Sequence, residues 1–413
     1  MGGNLIIENA RIVTPKGSHA LKGRQMNQLH VIDNGCIVIT DGIIEFVGAR
    51  ESRIVGKSNH KIFDAQGNAV LPGFIDSHTH LIFGGFRPDE FEWRLKGHSY
   101  MSIMERGGGI NSTVRATREA SDDHLTRKAL WFLKTMSKMG VTTVEAKSGY
   151  GLDEPTETRM LQIINRLNYY ENPGLQLVPT FLGAHAVPPE FQGNTSEYVD
   201  FLIRMLPRIK PLAKFCDVFC EKNVFELEDS RRLLAAAKDL GFELKLHADE
   251  IVSLGGAELA AELNAVSADH LLHISDQGIT SMSQAGVVAT LLPLTAFALK
   301  EPYAPARKMI DEGCAVALAT DLNPGSCFSG SIPLTIALAC IYMDMTIEET
   351  ITALTLNGAA ALSLADVTGS LETGKRGDIL VLGDPNYRIL PYYVGMNCVK
   401  TTIYNGEIVN ENF

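Results

Sequence analysis

Apolar and polar positions follow two different rhythms along this chain. Over the first seventy residues, short apolar runs alternate with turn-forming residues: LIIENARIVT, CIVITDGIIEFVG and KIFDAQGNAVLPG. Runs rich in Ile and Val and bounded by Gly, Asn and Asp predict β-strands. Asp41-Gly42 lies between CIVIT and IIEFVG, and because both residues tolerate positive φ the pair predicts a hairpin turn. The same texture returns at the far end in GKRGDILVLGD and VKTTIYNGEIV, where Asn405-Gly406 marks another hairpin. Chain termini commonly lie close together. The two ends therefore predict one small β-sandwich domain, residues 1–70 plus 366–413.

Between residues 71 and 365 the rhythm changes to short β-rich runs separated by amphipathic helices. Eight runs read as strands: 73–80, 141–149, 175–185, 215–222, 243–250, 267–273, 286–293 and 315–323. Between them Ala129, Phe132, Leu133, Met136 and Met139 share one helical face, and Leu233, Leu234, Ala237 and Leu240 share another. Gly140 and Gly241 follow these helices at the position of a left-handed C-cap. Alternating strands and helices imply parallel pairing with right-handed crossovers. Eight such units predict an α/β fold, a (β/α)8 TIM-like barrel, with its functional residues at the C-terminal strand ends. An open doubly wound sheet is the alternative. It would call for a Gly-rich turn after the first strand, whereas GGGI at 107–110 sits in a polar loop. The long stretch 84–120 has the length of a lid.

Composition narrows the classes. An apolar content of 45% and a charged content of 21% over 413 residues are those of a soluble globular protein. The formal charge of −11 argues against a nucleic-acid partner, and it means that an anionic substrate needs a local cation. No apolar run approaches a membrane span, and MGGNLIIENA lacks the features of a signal peptide. Seven scattered cysteines fit a reducing compartment, so the expected location is cytoplasmic. Cys216 and Cys220, four apart on one run, read as core packing rather than as a metal site.

Six of the 11 histidines fall at the ends of these runs. The first run ends in His78-Thr79-His80, the third in His185 and the fifth in His247-Ala248-Asp249-Glu250. The sixth carries His270 and His273, and the eighth ends in Asp321-Leu322-Asn323. Alternate residues on a strand share a face, so His78 and His80 can hold one ion together. A third imidazole from His247 and the carboxylate of Asp321 would complete an open, catalytic type of coordination. Zn²⁺ suits this donor set, and Fe²⁺ and Mn²⁺ suit it too. A single strand-end histidine is more often a hydrogen-bonded core residue, but four separate strand ends with suitable ligands are hard to explain by packing.

The segments LPGFIDSHTH, HADE and TDLN resemble the metal-dependent amidohydrolase superfamily over the whole chain. Within it, HLIFGGFRPDEF, VEAKSGYGL, PTFLGAHAVPPEF, LHADE and ATDLNPGS are similar to the imidazolonepropionase family. That family opens the ring of 4-imidazolone-5-propanoate to N-formimidoyl-L-glutamate in histidine degradation. The resemblance implies a single metal ion, Zn²⁺ or Fe²⁺/Fe³⁺, held by His78, His80, His247 and Asp321. It implies that Asp321 also moves the proton, that His270 polarises the carbonyl, and that Glu250 bonds the ring and takes part in catalysis. Tyr150, His185, Asn323, Gly325 and Ser326 are implied as substrate or product contacts. Arg87 is the natural clamp for the propionate, because a guanidinium binds a carboxylate through two bonds; a surface ion pair with Asp89 or Glu90 is the alternative. A small-molecule substrate, no nucleic acid, no membrane and a homodimer are the implied partners. Lys222 at the fourth strand end could bridge a second metal, although it reads as a solvated charge. His273 reads as structural, and Lys147 is given no catalytic role.

Overall fold

In the computed structural model, which describes residues 2–49, 59–97, 108–171 and 174–412, the expected strands are all present. β1 to β5 are Leu5–Thr14, His30–Thr40, Ile43–Ala49, Lys61–Asp64 and Ala69–Pro72. β6 to β9 are Phe74–Asp76, Val141–Lys147, Gln176–Ala184 and Phe215–Cys220. β10 to β13 are Glu243–Ala248, Ser267–His270, Val288–Leu291 and Ala315–Leu318. β14 to β16 are Ile379–Leu382, Val399–Tyr404 and Glu407–Glu411.

β6 to β13 form one eight-stranded parallel sheet in sequence order. Its strands are almost wholly buried on both faces, which is why they read as continuous apolar runs rather than alternating ones. The sheet closes just beyond the C-terminal ends of its first and last strands. There Asp321 N donates to His78 O (3.0 Å) and His80 N to Leu322 O (2.9 Å), with Thr79 bridging Leu322 in parallel. The result is the expected barrel. β11 is shorter than the run 267–273, because His270 and Leu271 take left-handed conformations (φ 76° and 62°) that end the strand.

The helix Asp122–Lys138 buries Ala129, Phe132, Leu133 and Met136 as its spacing predicts, and the Ser121 side chain caps its first turn. Gly140 and Gly241 adopt the left-handed φ required to leave their helices (88° and 82°). Leu240 departs from expectation: it is the C-cap of the helix Leu227–Asp239 and is exposed. Within the stretch 84–120, whose length is that of a lid, the described residues hold helices Pro88–Leu95 and Ile110–Glu119. Residues 98–107, including Gly107 of GGGI, lie outside the described residues.

The chain ends build a second, mixed sheet in the order β16-β15-β14-β5-β1-β2-β3, with β4 also paired to β1. Both predicted hairpins are there, with positive φ at Asp41, Gly42, Asn405 and Gly406. The sandwich takes the form of a single sheet bent back on itself. Ile44 N donates to Lys375 O and Gly374 N to Ile44 O (both 2.8 Å), which brings β3 against the turn before β14. Leu5, Ile7, Ile37, Ile39, Val70, Ile379, Val381 and Ile403 fill the enclosed core.

Two ties fix this sheet and the N-terminal segment to the barrel. Arg376 bonds Thr143 on β7 and Gln176 on β8 as well as Asp378. Asn357 accepts from Leu21 N (2.8 Å) and donates to Leu21 O and Val316 O, anchoring the crossing between β1 and β2 to β13. No helix among the described residues is long and apolar enough to cross a membrane. Replacing Asn357 by Ala strands three backbone groups, of which Val316 O is buried; a loss of about 2–4 kcal/mol is expected. Thermal unfolding would show it as a lowered Tm, with the rim residues' ligand binding retained.

Candidate active site

The closing bonds between β6 and β13 decide the geometry at the rim. They hold the segment with His78 and His80 alongside the one with Asp321, and β10 carries His247 to the same place. Four atoms converge: His80 Nε2 lies 3.4 Å from Asp321 Oδ1 and 3.4 Å from His247 Nε2, and His78 Nε2 lies 3.5 Å from Asp321 Oδ1. Donors bound tetrahedrally at ~2.1 Å stand about 3.4 Å apart, so this spacing fits one divalent ion. His78 Nε2 and Asp321 Oδ1 are buried and have no hydrogen-bond partner, which a cation between them would remedy.

The far ends of His78, His247 and Asp321 each face a polar side chain. Asp269 Oδ2 bonds His78 Nδ1 at 2.6 Å, and Asp217 Oδ2 lies 3.1 Å from His247 Nδ1, an electrostatic contact whose angle falls short of a hydrogen bond. Such pairing places the proton on Nδ1 and leaves Nε2 free to ligate. Thr295 Oγ1 donates to Asp321 Oδ2 (2.6 Å), leaving Oδ1 for the centre. His80 instead stacks on His185, with centroids 4.8 Å apart. Burial pushes the imidazoles of His78, His80 and His247 below their usual range, so they are neutral donors. Burial alone would raise the Asp321 carboxyl, but its contacts with His80 and Thr295 and the nearby His270 ring hold it low and ionised. Asp249, His270 and Asp321 all have positive φ (50°, 76° and 54°), conformations that cost of order 1 kcal/mol each and gather here.

His80, His247, His270 and Asp321 line one side of a cavity of about 500 Å³. His270 Nε2 sits 3.5 Å from Glu250 Oε2 in its wall, and burial raises the Glu250 carboxyl despite the opposing effect of His270. Tyr150 and His185 enter from the ends of β7 and β8. The loop that carries Tyr150 is stapled by the buried Glu157, whose carboxylate accepts from Gly149, Gly151 and Leu152 N–H groups. His185 Nδ1 donates to Gly149 O (3.0 Å), so its Nε2 is an acceptor. Burial keeps the Tyr150 phenol protonated by raising its pKa.

Across the cavity stands Arg87. Its guanidinium makes a long contact with Glu90 (3.5 Å), the ion pair weighed from sequence, yet the side chain is largely buried and lines the cavity. A Cβ at Gly325 would come within 1.7 Å of Arg87 Nη2, so only glycine admits the guanidinium there. Asn323 spends its side chain on its own loop, accepting from Gly325 N and Ser326 N (both 2.8 Å) and donating to Asp321 O. Ser326 Oγ bonds Asn323 while still reaching the cavity wall.

Other expectations fall outside the cavity. His273 does not line it, Lys222 is exposed, and Cys216 and Cys220 are packed in the core. Sequence reasoning overlooked Arg94, which lines the cavity and donates to Gly325 O (2.9 Å). On a helix with no buried residue, it reads as an ordinary solvated charge. Asp217, Asp269 and Thr295 were overlooked too; for Asp217 the usable signal was an acidic residue inside an otherwise apolar strand.

Two models of the amidohydrolase family match the chain, over residues 61–110 and 222–409. The chain is 65% identical over 416 residues to a protein of Phocaeicola vulgatus named imidazolonepropionase, with all of both chains covered. It is 55% identical to the imidazolonepropionase of Clostridium tetani, with 98% of each covered. Among solved structures, 5-methylcytosine deaminase from Klebsiella pneumoniae superposes with a TM-score of 0.75 over 99% of this chain and 98% of that one, at 16% identity. Escherichia coli guanine deaminase gives 0.72 over 99% and 100%, also at 16%. These two likenesses concern the fold alone. Metal analysis of the purified protein is expected to find about one equivalent of a divalent ion. His247→Ala should retain under a tenth of it, and chelation should lower the Tm by removing a ligand of the native state.

Proposed function

The chain belongs to the imidazolonepropionase family of the amidohydrolases, and on that premise we propose how its cavity hydrolyses the cyclic amide C–N bond of 4-imidazolone-5-propanoate. The product is N-formimidoyl-L-glutamate, in histidine degradation. Full-length identity of 65% to a named imidazolonepropionase carries the reading of the reaction. The convergence of three imidazole nitrogens and one carboxylate oxygen supports the reading of the centre. Another amidohydrolase activity, such as deamination of a purine or pyrimidine, is the alternative reading, and it has only a likeness of fold behind it.

His78, His80, His247 and Asp321 would hold the ion, Zn²⁺ or iron. When bound, the ion supplies Lewis-acid chemistry and lowers the pKa of water so that a nucleophile is available at neutral pH. Asp321 accepts the proton of the attacking water and delivers it to the ring nitrogen as the C–N bond breaks; Thr295 keeps its second oxygen fixed meanwhile. His270 faces the same space and stabilises the negative charge that builds on the ring carbonyl oxygen. Glu250, its carboxyl raised by burial, bonds the ring nitrogens opposite. Arg87 takes the propionate, the local cation that a chain of net charge −11 needs for an anionic substrate. Tyr150 donates to that carboxylate, and His185 Nε2 accepts from the ring. The 323–326 loop frames the tail of the substrate and product. A homodimeric assembly rests on the family alone, and a cytoplasmic location on the family and the scattered cysteines.

Arg87→Ala is expected to raise KM for imidazolonepropionate about 10- to 100-fold, as loss of a hydrogen bond to a charged group does. Its metal content should be unchanged, and unchanged kinetics would dismiss the clamp. Asp321→Asn is expected to lower kcat about 10²- to 10⁴-fold, the range of a general base. KM measured on metal-replete enzyme should move far less; retained turnover would shift proton transfer to Glu250 or His270.

A further inference from the structure

Beneath the rim lies a polar cluster that the mechanism does not use. Lys147, Lys245, Glu145, Asp217 and Asp269 come from four strands of the barrel and are all fully buried. Lys147 Nζ, on β7, lies 2.7 Å from Asp217 Oδ2, 2.9 Å from Glu145 Oε2 and 3.9 Å from Asp269 Oδ2. Lys245 lies farther off, 3.5 Å from Asp269 Oδ2 and 3.7 Å from Glu145 Oε1. Glu145 also accepts from Thr180 Oγ1 (2.6 Å), and Asp269 from Ser267 Oγ (2.7 Å). Lys147 is tied by its backbone as well: its N–H donates to Thr79 O (3.0 Å), the residue between His78 and His80.

The two aspartates are the same ones that face the Nδ1 atoms of His247 and His78. A neutral imidazole carries one N–H, and it ligates through Nε2 only if the hydrogen stays on Nδ1. Two carboxylates approaching one another in a dry interior repel, and neither would hold its position unaided. The Lys147 ammonium stands between them. We propose that Lys147 is a positioning residue for the metal centre: by gripping Asp217 directly and drawing in Glu145 and Asp269, it sets the Nδ1–H tautomer and the placement of His247 and His78 before any ion arrives. The inference rests on the metal centre proposed above.

Lys147→Gln tests it, but a lone deletion can fail simply by unbalancing the core. The cluster sets two ammoniums against three carboxylates. The double variant E145Q/K147Q sets one against two and keeps the same net charge. Metal affinity is read by competition with a chromophoric Zn²⁺ chelator, alongside the Tm of the metal-free proteins. Imidazole tautomers in the metal-free wild type are read by histidine-selective ¹⁵N NMR, which needs no variant to fold. Wild-type protein that binds no Zn²⁺ would sink the metal reading itself. Given wild-type binding, K147Q and E145Q/K147Q are expected to lose affinity about 10- to 100-fold. The double variant should keep a Tm near wild type, and His78 and His247 should be Nδ1–H without metal. A folded double variant with wild-type affinity, or Nε2–H tautomers in the metal-free protein, would overturn the role of Lys147 and leave the metal centre standing.

Discussion

Two backbone hydrogen bonds, Asp321 N to His78 O and His80 N to Leu322 O, carry the architecture of the rim. They close the barrel just past the C-terminal ends of β6 and β13. Closure removes the two open edges that an eight-stranded sheet would expose. It also does something local: the residues that make the seam are themselves the chemical groups. Asp321 reaches its place only by taking a left-handed conformation, an unfavourable one for a residue with a side chain. The stability of the closed barrel supports that strain.

A second constraint follows from the first. Gathering neutral imidazoles and a carboxylate out of water leaves lone pairs facing one another across about 3.4 Å, an arrangement that repels unless a cation intervenes. Beneath them, carboxylates that orient the imidazoles are themselves held by ammonium groups. The rim is thus a layered arrangement of charge, in which each layer compensates the one above. The cavity wall opposite follows different rules. Arg87 is admitted there by the missing Cβ of Gly325, and Arg94 pins the same loop through Gly325 O. Glu157 staples the neighbouring loop through three backbone N–H groups.

The barrel was legible because its strands read as doubly buried runs between helices with clear apolar faces. The bent terminal sheet was legible at its hairpins, since Asp41-Gly42 and Asn405-Gly406 state their own turn type. His78, His80, His247 and Asp321 stood out as polar residues ending apolar strands. Other features depend on information that a linear pattern does not carry. The end of β11 at His270 turns on a left-handed conformation at a residue that is not glycine. The helices within 84–120 carry no buried apolar face in their first member, so periodicity passed over it. Lys147, Asp217 and Asp269 look like isolated charges in apolar strands until the barrel shows that they face one another.

Anomalous X-ray scattering from a crystal of the metal-loaded protein, collected on either side of the metal's absorption edge, tests the central claim most directly. A single anomalous peak is expected within bonding distance of His78 Nε2, His80 Nε2, His247 Nε2 and Asp321 Oδ1. A peak bound elsewhere, or none among these four atoms in protein shown by elemental analysis to carry metal, would contradict it.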